Sequence, residues 1–456
     1  MLVNFRFENF LSFNEMNTFS MTLGKTKLHQ RNILKNDSIN LLKFATVYGA
    51  NASGKSNFIS TISFAQDIIL NGLNNVAISN MYNRNDEANS QRISRFEFEI
   101  LLDSKIYSYG FSILISEMKI VDEWFYDITN KEIEIFSRSN DVIFNYDYFN
   151  FDENNKLRIN VYSQDISSNR TDLFLTSLNK GKNEIITEDG KALFKDVYNW
   201  FSNTLEVISP DEVTKEFGLT YQNQEYLDKL GKYLKNSDTG VTKVLLEKTE
   251  ESMEGMPVSL DKKVRNKILQ DFIESESESK KVKLSAMIRT PKSIYIFKKS
   301  GDELITFELK FVHGKDNVKY SFNEESDGTI RLVELFSVLN NQKEKVFVID
   351  ELDRSLHPIL TYDFVKKFLL KDGINQLIIS THEDRLLDLS LLRRDEIWFV
   401  NKDDKGNSLL YSLEDYKERF DKNILNAYLD GRYGAIPNII SNFAIYDSDY
   451  CMEEGK

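Results

Sequence analysis

The chain has 456 residues, 41% of them hydrophobic, and a formal net charge of −13. That length provides one large domain or two to three ordinary ones with ample core, and no stretch nears the roughly 18 uninterrupted apolar residues of a membrane span. The acidic balance argues against a surface that attracts nucleic acid all over, although a local basic groove stays open; the single cysteine, Cys451, excludes an internal disulfide, and four histidines disfavour structural zinc.

The opening "MLVNFRFENF" has no basic segment followed by an apolar core, so no secretory leader is read there and a cytoplasmic protein is expected. Val3, Phe5 and Phe7 alternate with Asn4, Arg6 and Glu8, the pattern of a half-buried strand. A second apolar run, "LLKFATVYG" (41–49), leads into "GANASGKS" (49–56), and "SNFISTISFAQDIIL" then repeats apolar residues at helical spacing. From 94 to 145 short strand patterns follow one another, as in "SRFEFEILL" and "KIYSYGFSILI", and predict an antiparallel sheet beside this strand–loop–helix unit.

Residues 206–290 are charged, broken by "NSDTG" and "EGMPVS", and mostly helical in period; they read as an insertion too irregular for a coiled coil, with "ESESESKK" (274–281) as a solvated cluster. Strand patterns return at "SIYIFKKSGDELITFELKF", and "KVFVIDE" and "QLIIS" are continuous β-rich runs of the kind buried on both faces of a parallel sheet. The expected fold is therefore α/β: a P-loop head with a mixed sheet, an antiparallel β lobe and a helical insertion. Its boundaries fall at 1–205, 206–295, 296–430 and a tail at 431–456.

"GANASGKS" fits G-x-x-x-x-G-K-[ST] in full and has the required strand before it and helix after it. Gly49, Asn51, Ser53, Gly54, Lys55, Ser56 and Asn57 are the expected ATP-binding residues. Backbone N–H groups at a helix N-terminus cradle phosphate, Lys55 reaches the β- and γ-phosphates, and the Ser56 hydroxyl ligates Mg2+. In "KEKVFVIDELDRSLHP" (343–358) a strand ends in Asp350, suited to hold Mg2+ directly or through water, and Glu351, suited to orient the attacking water. Upstream, "EESDGTIRLVELFSVL" begins a second helix at Ser326, Asp327 and Gly328, able to bind an anion. Downstream, His382 follows "QLIIS", where its ring could meet a γ-phosphate, although alone it would read as a structural histidine.

Phosphate loop, anion-binding helix, strand with Asp-Glu and strand with His stand in an order that resembles the ATP-binding cassette heads of the SMC and RecF type. The resemblance implies that Ser326 and Gly328 are signature residues that bind ATP, Asp350 the Walker B carboxylate, Glu351 the catalytic base, Leu352 to Pro358 the D-loop region and His382 the catalytic switch. Asp327 departs from it, standing where many cassette ATPases have glycine. Gln91 is a candidate for the Q-loop glutamine, and Asn9 and Ser12 for adenine contacts. "ENFLSF", "EESDGT", "IDELDRSLHP", "STHE", "RRDEIWFVNKD" and "YLDGRYGAIP" resemble more narrowly the stand-alone bacterial AAA-type ATPases grouped with RloA, AbiL and the ATPase component of PARIS.

That resemblance implies an ATPase of antiphage, abortive-infection systems, acting as a homodimer whose two heads face each other around two ATP molecules with Mg2+, able to assemble further. It also implies a separate effector, a nuclease, because OLD-family nucleases, which resemble this head, carry a C-terminal Toprim domain for which too little chain follows His382. Asp447 and Asp449 in "YDSDY" read as polar tail, "GRYGAIP" (431–437) as a turn, and His29, His313 and His357 as packing or capping residues. The alternative reading is a RecF-like repair ATPase that clamps DNA; a transporter motor is disfavoured by the lack of a membrane domain.

Overall fold

The computed structural model describes residues 1–73, 80–180, 185, 192–210, 223–249, 263–265, 267–268, 285–289, 294–300, 303–416 and 424–436. At its centre five short apolar runs lie parallel in the order Leu205–Ile208, Val346–Ile349, Gln376–Ser380, Phe44–Tyr48 and Ile397–Lys402. Ser408–Ser412 pairs antiparallel with the last of them. Successive residues of a strand face opposite ways, and here both ways are covered. Ala45, Val47, Val346, Val348, Ile378 and Val400 join one core, whereas Phe44, Tyr48, Phe347, Ile349, Leu377 and Ile379 join another.

The first core is filled by the helix Lys55–Asn71, which turns Phe58, Ile59, Ile62, Ala65, Ile68 and Ile69 inward at helical spacing. Beyond it lies a seven-stranded antiparallel sheet in the order Val142–Phe144, Ile133–Arg138, Lys119–Asp127, Lys105–Leu114, Ser94–Leu102, Leu2–Glu8, Asn17–Ser20. Phe5 and Phe7 are fully buried while Arg6 between them is not, the alternation expected of the first strand. The antiparallel lobe expected over 94–145 is thus present, and the first strand and Asn17–Ser20 extend it.

A third, five-stranded antiparallel sheet pairs Glu303–His313 with Val241–Thr249 on one edge and with Ile294–Ser300 and Val318–Ser321 on the other; Ser285–Arg289 completes it. The helix Asp327–Asn340 bridges two cores, sending Leu332, Val333 and Phe336 toward this sheet and Leu335 and Val338 toward the parallel one.

Among its described residues, the segment 206–295, expected to be a mainly helical insertion, holds strand as well as helix. Its described residues hold the helix Gln224–Asn236 and helical residues at 263–265 and 267–268, beside the end of Leu205–Ile208, the strands Val241–Thr249 and Ser285–Arg289, and the start of Ile294–Ser300. The reason is physical: "VTKVLLEKT" mixes strong helix formers with β-branched residues, and its strand state is fixed by pairing with Glu303–His313, far away in sequence. The expected boundary at 205/206 also cuts the strand Leu205–Ile208, too short to show a period of its own, which belongs to the parallel sheet. "ESESESKK", Cys451 and "YDSDY" lie outside the described residues.

The three other histidines have structural partners. His29 Nε2 meets the Leu389 carbonyl at 2.7 Å, His313 Nε2 meets Glu325 at 2.6 Å, and His357 caps the helix Pro358–Leu370. The glycine-containing stretch begun at Gly431 is a turn whose Tyr433 stacks on Phe399 at 5.2 Å.

Candidate active site

Parallel strands place their C-terminal ends along one edge, where α/β proteins gather ligand-binding loops. Phe44–Tyr48 delivers the loop Gly49–Gly54, Val346–Ile349 delivers Asp350 and Glu351, and Gln376–Ser380, lying between them, delivers Thr381 and His382. Asn51, Ala52, Gly54, Lys55, Ser56, Asn57, Glu351 and His382 line one cleft of about 530 Å³.

The phosphate loop is shaped by close backbone approaches. Gly54 has φ +120, a conformation that L side chains rarely adopt, and a Cβ there would run into Ser408 Oγ. Behind it Ser408 Oγ reaches the Ser53 carbonyl at 2.5 Å and Ser12 Oγ at 2.7 Å, and Asn57 donates to Ser12 Oγ at 2.8 Å. Ser12 therefore braces the rear of the loop. The ammonium of Lys55 is buried and donates to the Gly49 carbonyl at 2.7 Å and the Ala50 carbonyl at 3.2 Å. Burial lowers its pKa, against the opposing pull of Asp350, Asp353 and Glu351.

Asp350 and Glu351 are neighbours with different surroundings. Asp350 is buried and its carboxylate accepts from the Ser380 hydroxyl, and Ser380 Oγ in turn accepts the Glu351 N–H at 2.8 Å. Glu351 has φ 47, the left-handed region, and its carbonyl accepts from Arg331 Nη2 at 3.2 Å. These contacts hold a non-glycine residue in a conformation that costs of order 1–3 kcal/mol. Asp353 accepts from Thr381 Oγ1 at 2.7 Å and from the His382 N–H at 3.3 Å, tying the turn after one strand to the turn after the next. The pKa of His382 is lowered, first by loss of solvent around the ring and then by the charge of Lys55, with Asp353, Glu351 and Asp350 pulling the other way.

Gly49, Ser53 and Asp350 do not line the cleft. Ser53 Oγ is buried with no hydrogen-bond partner, and a Cβ on Gly49 would strike it. Ser326 and Gly328 also stand outside the cleft of their own chain. Ser326 is the exposed N-cap of its helix, accepting from the Thr329 N–H at 3.2 Å, and Gly328 is held against the Ser355 carbonyl, which an added Cβ would meet at 2.9 Å. Asp327 is exposed.

Two expectations fail. Asn9 is fully buried, donating to the carbonyls of Asn89 and Arg92 at 3.0 Å and accepting from the Asn83 N–H at 3.2 Å, so it holds a loop rather than an adenine. Gln91 ends an exposed turn and does not line the cleft. Two residues were missed, Ser380 and Arg331. "LIIS" ends a buried strand, and a serine there was a readable signal for a short polar contact; the reach of Arg331 back to Glu351 has no local sequence signal.

Among the described residues no group of three or more His, Cys, Asp or Glu could hold a metal ion, and no helix is long and apolar enough to cross a membrane. Over residues 44–388 the chain matches the family described as "AAA domain, putative AbiEii toxin, Type IV TA system". No curated protein matches it. Among solved structures, an SMC head bound to the C-winged helix domain of ScpA is similar at 14% identity and TM-score 0.37, covering 90% of this chain and 97% of that one. The SMC head domain from Thermotoga maritima is similar at 11% identity and TM-score 0.35, over 90% of this chain and 98% of that one. An SMC head with an extended coiled coil, bound to a ScpA domain derived from Pyrococcus furiosus, is similar at 12% identity and TM-score 0.35, over 95% and 98%.

Proposed function

We propose that this chain, which belongs to the AAA-domain family that it matches over residues 44–388, is an ATP-hydrolysing switch in which two heads enclose two ATP molecules. One observation carries this reading. Lys55, Glu351 and His382 share a cleft, whereas Ser326 and Gly328, the second anion-binding helix start, lie outside it and are free to close the cleft of another copy. The head is built from the two halves of the chain on either side of an insertion, and the strand Leu205–Ile208 belongs to its parallel sheet.

In this reading Lys55 leaves the Gly49 and Ala50 carbonyls for the β- and γ-phosphates, and Gly49, Asn51, Ser53, Gly54, Ser56 and Asn57 shape the loop around them. Ser56 at the first helical turn and Asp350 at the strand end are oxygen donors of the kind Mg2+ takes. So small a protein set fits an ion that keeps waters and takes phosphate oxygens for the rest of its shell. When bound, Mg2+ neutralises charge that develops on the phosphates. Glu351, fixed by Ser380 and Arg331, orients the attacking water, and a neutral His382 meets the γ-phosphate as a hydrogen-bond partner. ATP bridging Lys55 of one head and Ser326 of the other favours the closed pair, and hydrolysis weakens it. ADP release by wild type, Lys55→Ala and Glu351→Gln tests the assignment: both substitutions abolish turnover, and only the first abolishes nucleotide binding.

The biological role that we propose is the sensor or scaffold of a cytoplasmic antiphage, abortive-infection system that controls a separate effector, a nuclease. It is supported by the family description, which names a toxin of a toxin–antitoxin system. Phage plating on cells with the native locus tests it; protection should vanish in both variants.

A specific observation favours a second reading, a clamp on nucleic acid. Lys25, Lys27, Arg31 and Lys35 are exposed within one stretch that holds no acid, and none of their side chains has a partner among the described residues. Turnover stimulated severalfold by duplex DNA, with a steep salt dependence, would support the clamp.

A further inference from the structure

The turn that follows Val346–Ile349 and the turn that follows Gln376–Ser380 are joined residue by residue. Ser380 serves the first part of the seam: its hydroxyl lies between Asp350 and the Glu351 N–H, and its carbonyl accepts the Leu352 N–H at 3.1 Å. Asp353 serves the next part. One oxygen of its carboxylate accepts the Thr381 hydroxyl at 2.7 Å, and the His382 N–H reaches both oxygens at 3.3 Å. Thr381 Oγ1 in turn accepts the Glu383 N–H at 2.9 Å, so residues 381–383 all hang on one acidic side chain.

This clasp matters because of what His382 lacks. Its ring lines the nucleotide cleft, yet among the described residues the imidazole makes no hydrogen bond. Where the ring stands therefore depends on how its main chain is held. On one side the phosphate-loop strand holds it, since the Thr381 N–H meets the Val47 carbonyl at 3.3 Å and the Tyr48 hydroxyl donates to the Glu383 carbonyl at 3.3 Å. On the other side Asp353 holds it.

The residue type suits the task. A carboxylate only accepts, through two oxygens, and bonds to an ionised acceptor are about twice as strong as neutral ones. An asparagine could keep one oxygen on the Thr381 hydroxyl, but it would turn an amide donor toward the His382 N–H. Asp353 itself does not line the cleft. Loss of solvent lowers the pKa of both Lys55 and His382, and the charge of Asp353 opposes that lowering at both, so its field reaches the two groups on either side of the phosphate site.

We propose that Asp353 is a positioning residue for ATP hydrolysis: through the Thr381 hydroxyl and the His382 N–H it holds the imidazole of His382 where the γ-phosphate is cleaved. The inference rests on the switch reading, which assigns His382 to the γ-phosphate. Because Asp353 stands outside the cleft, its loss acts on turnover and leaves nucleotide binding in place.

Single-turnover hydrolysis reads the rate, a fluorescent-ATP titration the affinity and a melting curve the folding of wild type, Asp353→Asn, Thr381→Val, Thr381→Ser, His382→Ala and their paired combinations. Asp353→Asn should slow hydrolysis about tenfold, as loss of a charged hydrogen bond does, while ATP affinity stays within about threefold. Thr381→Ser should keep the rate; Thr381→Val should lose about as much as Asp353→Asn, with little further loss when the two are combined. In a His382→Ala background Asp353→Asn should cost less than about twofold, because the group that it positions is gone. An undiminished cost in that background, a fall in ATP affinity that matches the fall in rate, or wild-type hydrolysis by Asp353→Asn would overturn the proposal. If His382→Ala is too slow to compare, the Asp353 and Thr381 pair decides, and additive losses overturn the clasp. No hydrolysis by wild type, or a wild-type rate in His382→Ala, is a failure of the switch reading, seen apart from these outcomes and taking the proposal with it.

Discussion

Arg331 donates through Nη2 to the carbonyl of Glu351 at 3.2 Å, so the helix that starts at Ser326 grips the residue that we assign as catalytic base in the same chain. Arg331 is 5% exposed and also reaches Glu334 at 3.3 Å. The contact ties the helix that carries Ser326 to Glu351 within one chain, and Gly328 against the Ser355 carbonyl adds a second point of contact.

Arg331→Lys keeps the charge near Glu334 but loses the planar fork that serves both partners. A hydrogen bond from a charged donor is worth about 1.5–3 kcal/mol, so turnover should fall about tenfold or more. ATP affinity should stay within about threefold, since Lys55 and the phosphate loop are untouched. Steady-state kinetics beside a fluorescent-ATP titration separates the two effects; equal losses in both would remove the assigned role.

Ser380→Ala takes the hydroxyl from between Asp350 and the Glu351 N–H. A buried carboxylate and a backbone donor are then left short of a partner, at about 1–3 kcal/mol. A lower melting temperature is expected together with a fall in turnover that exceeds any fall in ATP affinity. Wild-type turnover in a protein of lowered stability would show that the serine only braces the fold.

Gly54→Ala meets two obstacles, the backbone at φ +120 and the Ser408 hydroxyl. The single variant should lose nucleotide binding. Adding Ser408→Gly removes the closest clash but leaves Ser12 Oγ at 2.9 Å and the backbone strain, so the double variant should remain unable to bind. Recovery of ATP binding by the double variant would mean that space alone fixes this glycine.

The lowered pKa of His382 sets a sign for pH dependence. Its native state gives up the proton more readily than an ordinary histidine of pKa 6.5. Its contribution to stability is therefore in full above that value and is lost as pH falls through the lower native pKa. Activity that uses the neutral ring should show an acid limb whose midpoint lies below 6.5, and His382→Ala should erase that limb. An unchanged limb in the variant would assign it to another group.

Much of the site was legible because its chemistry is local. The loop from Gly49 to Ser56 carries its own punctuation, and the runs ending at Tyr48, Ile349 and Ser380 are apolar enough to be read as buried parallel strands. What was misread depends on partners far along the chain. Val241–Thr249 becomes a strand only by pairing with Glu303–His313, and Leu205–Ile208 only by pairing with Val346–Ile349. Asn9 looked available for a ligand because sequence does not reveal that Asn83, Asn89 and Arg92 close around it. Arg331 was hidden for the same reason, since its charge reads as an exposed helix face until the fold brings Glu351 beneath it.

The central claim, that ATP joins two heads through Ser326, is tested most directly by light scattering of Glu351→Gln with and without ATP and Mg2+. The account predicts a particle with twice the mass of the 53.2 kDa chain, or of its resting assembly, when ATP is present. It also predicts that adding Ser326→Arg prevents the change while ATP is still bound. A mass that does not respond to bound ATP, or a doubling that survives Ser326→Arg, would contradict it.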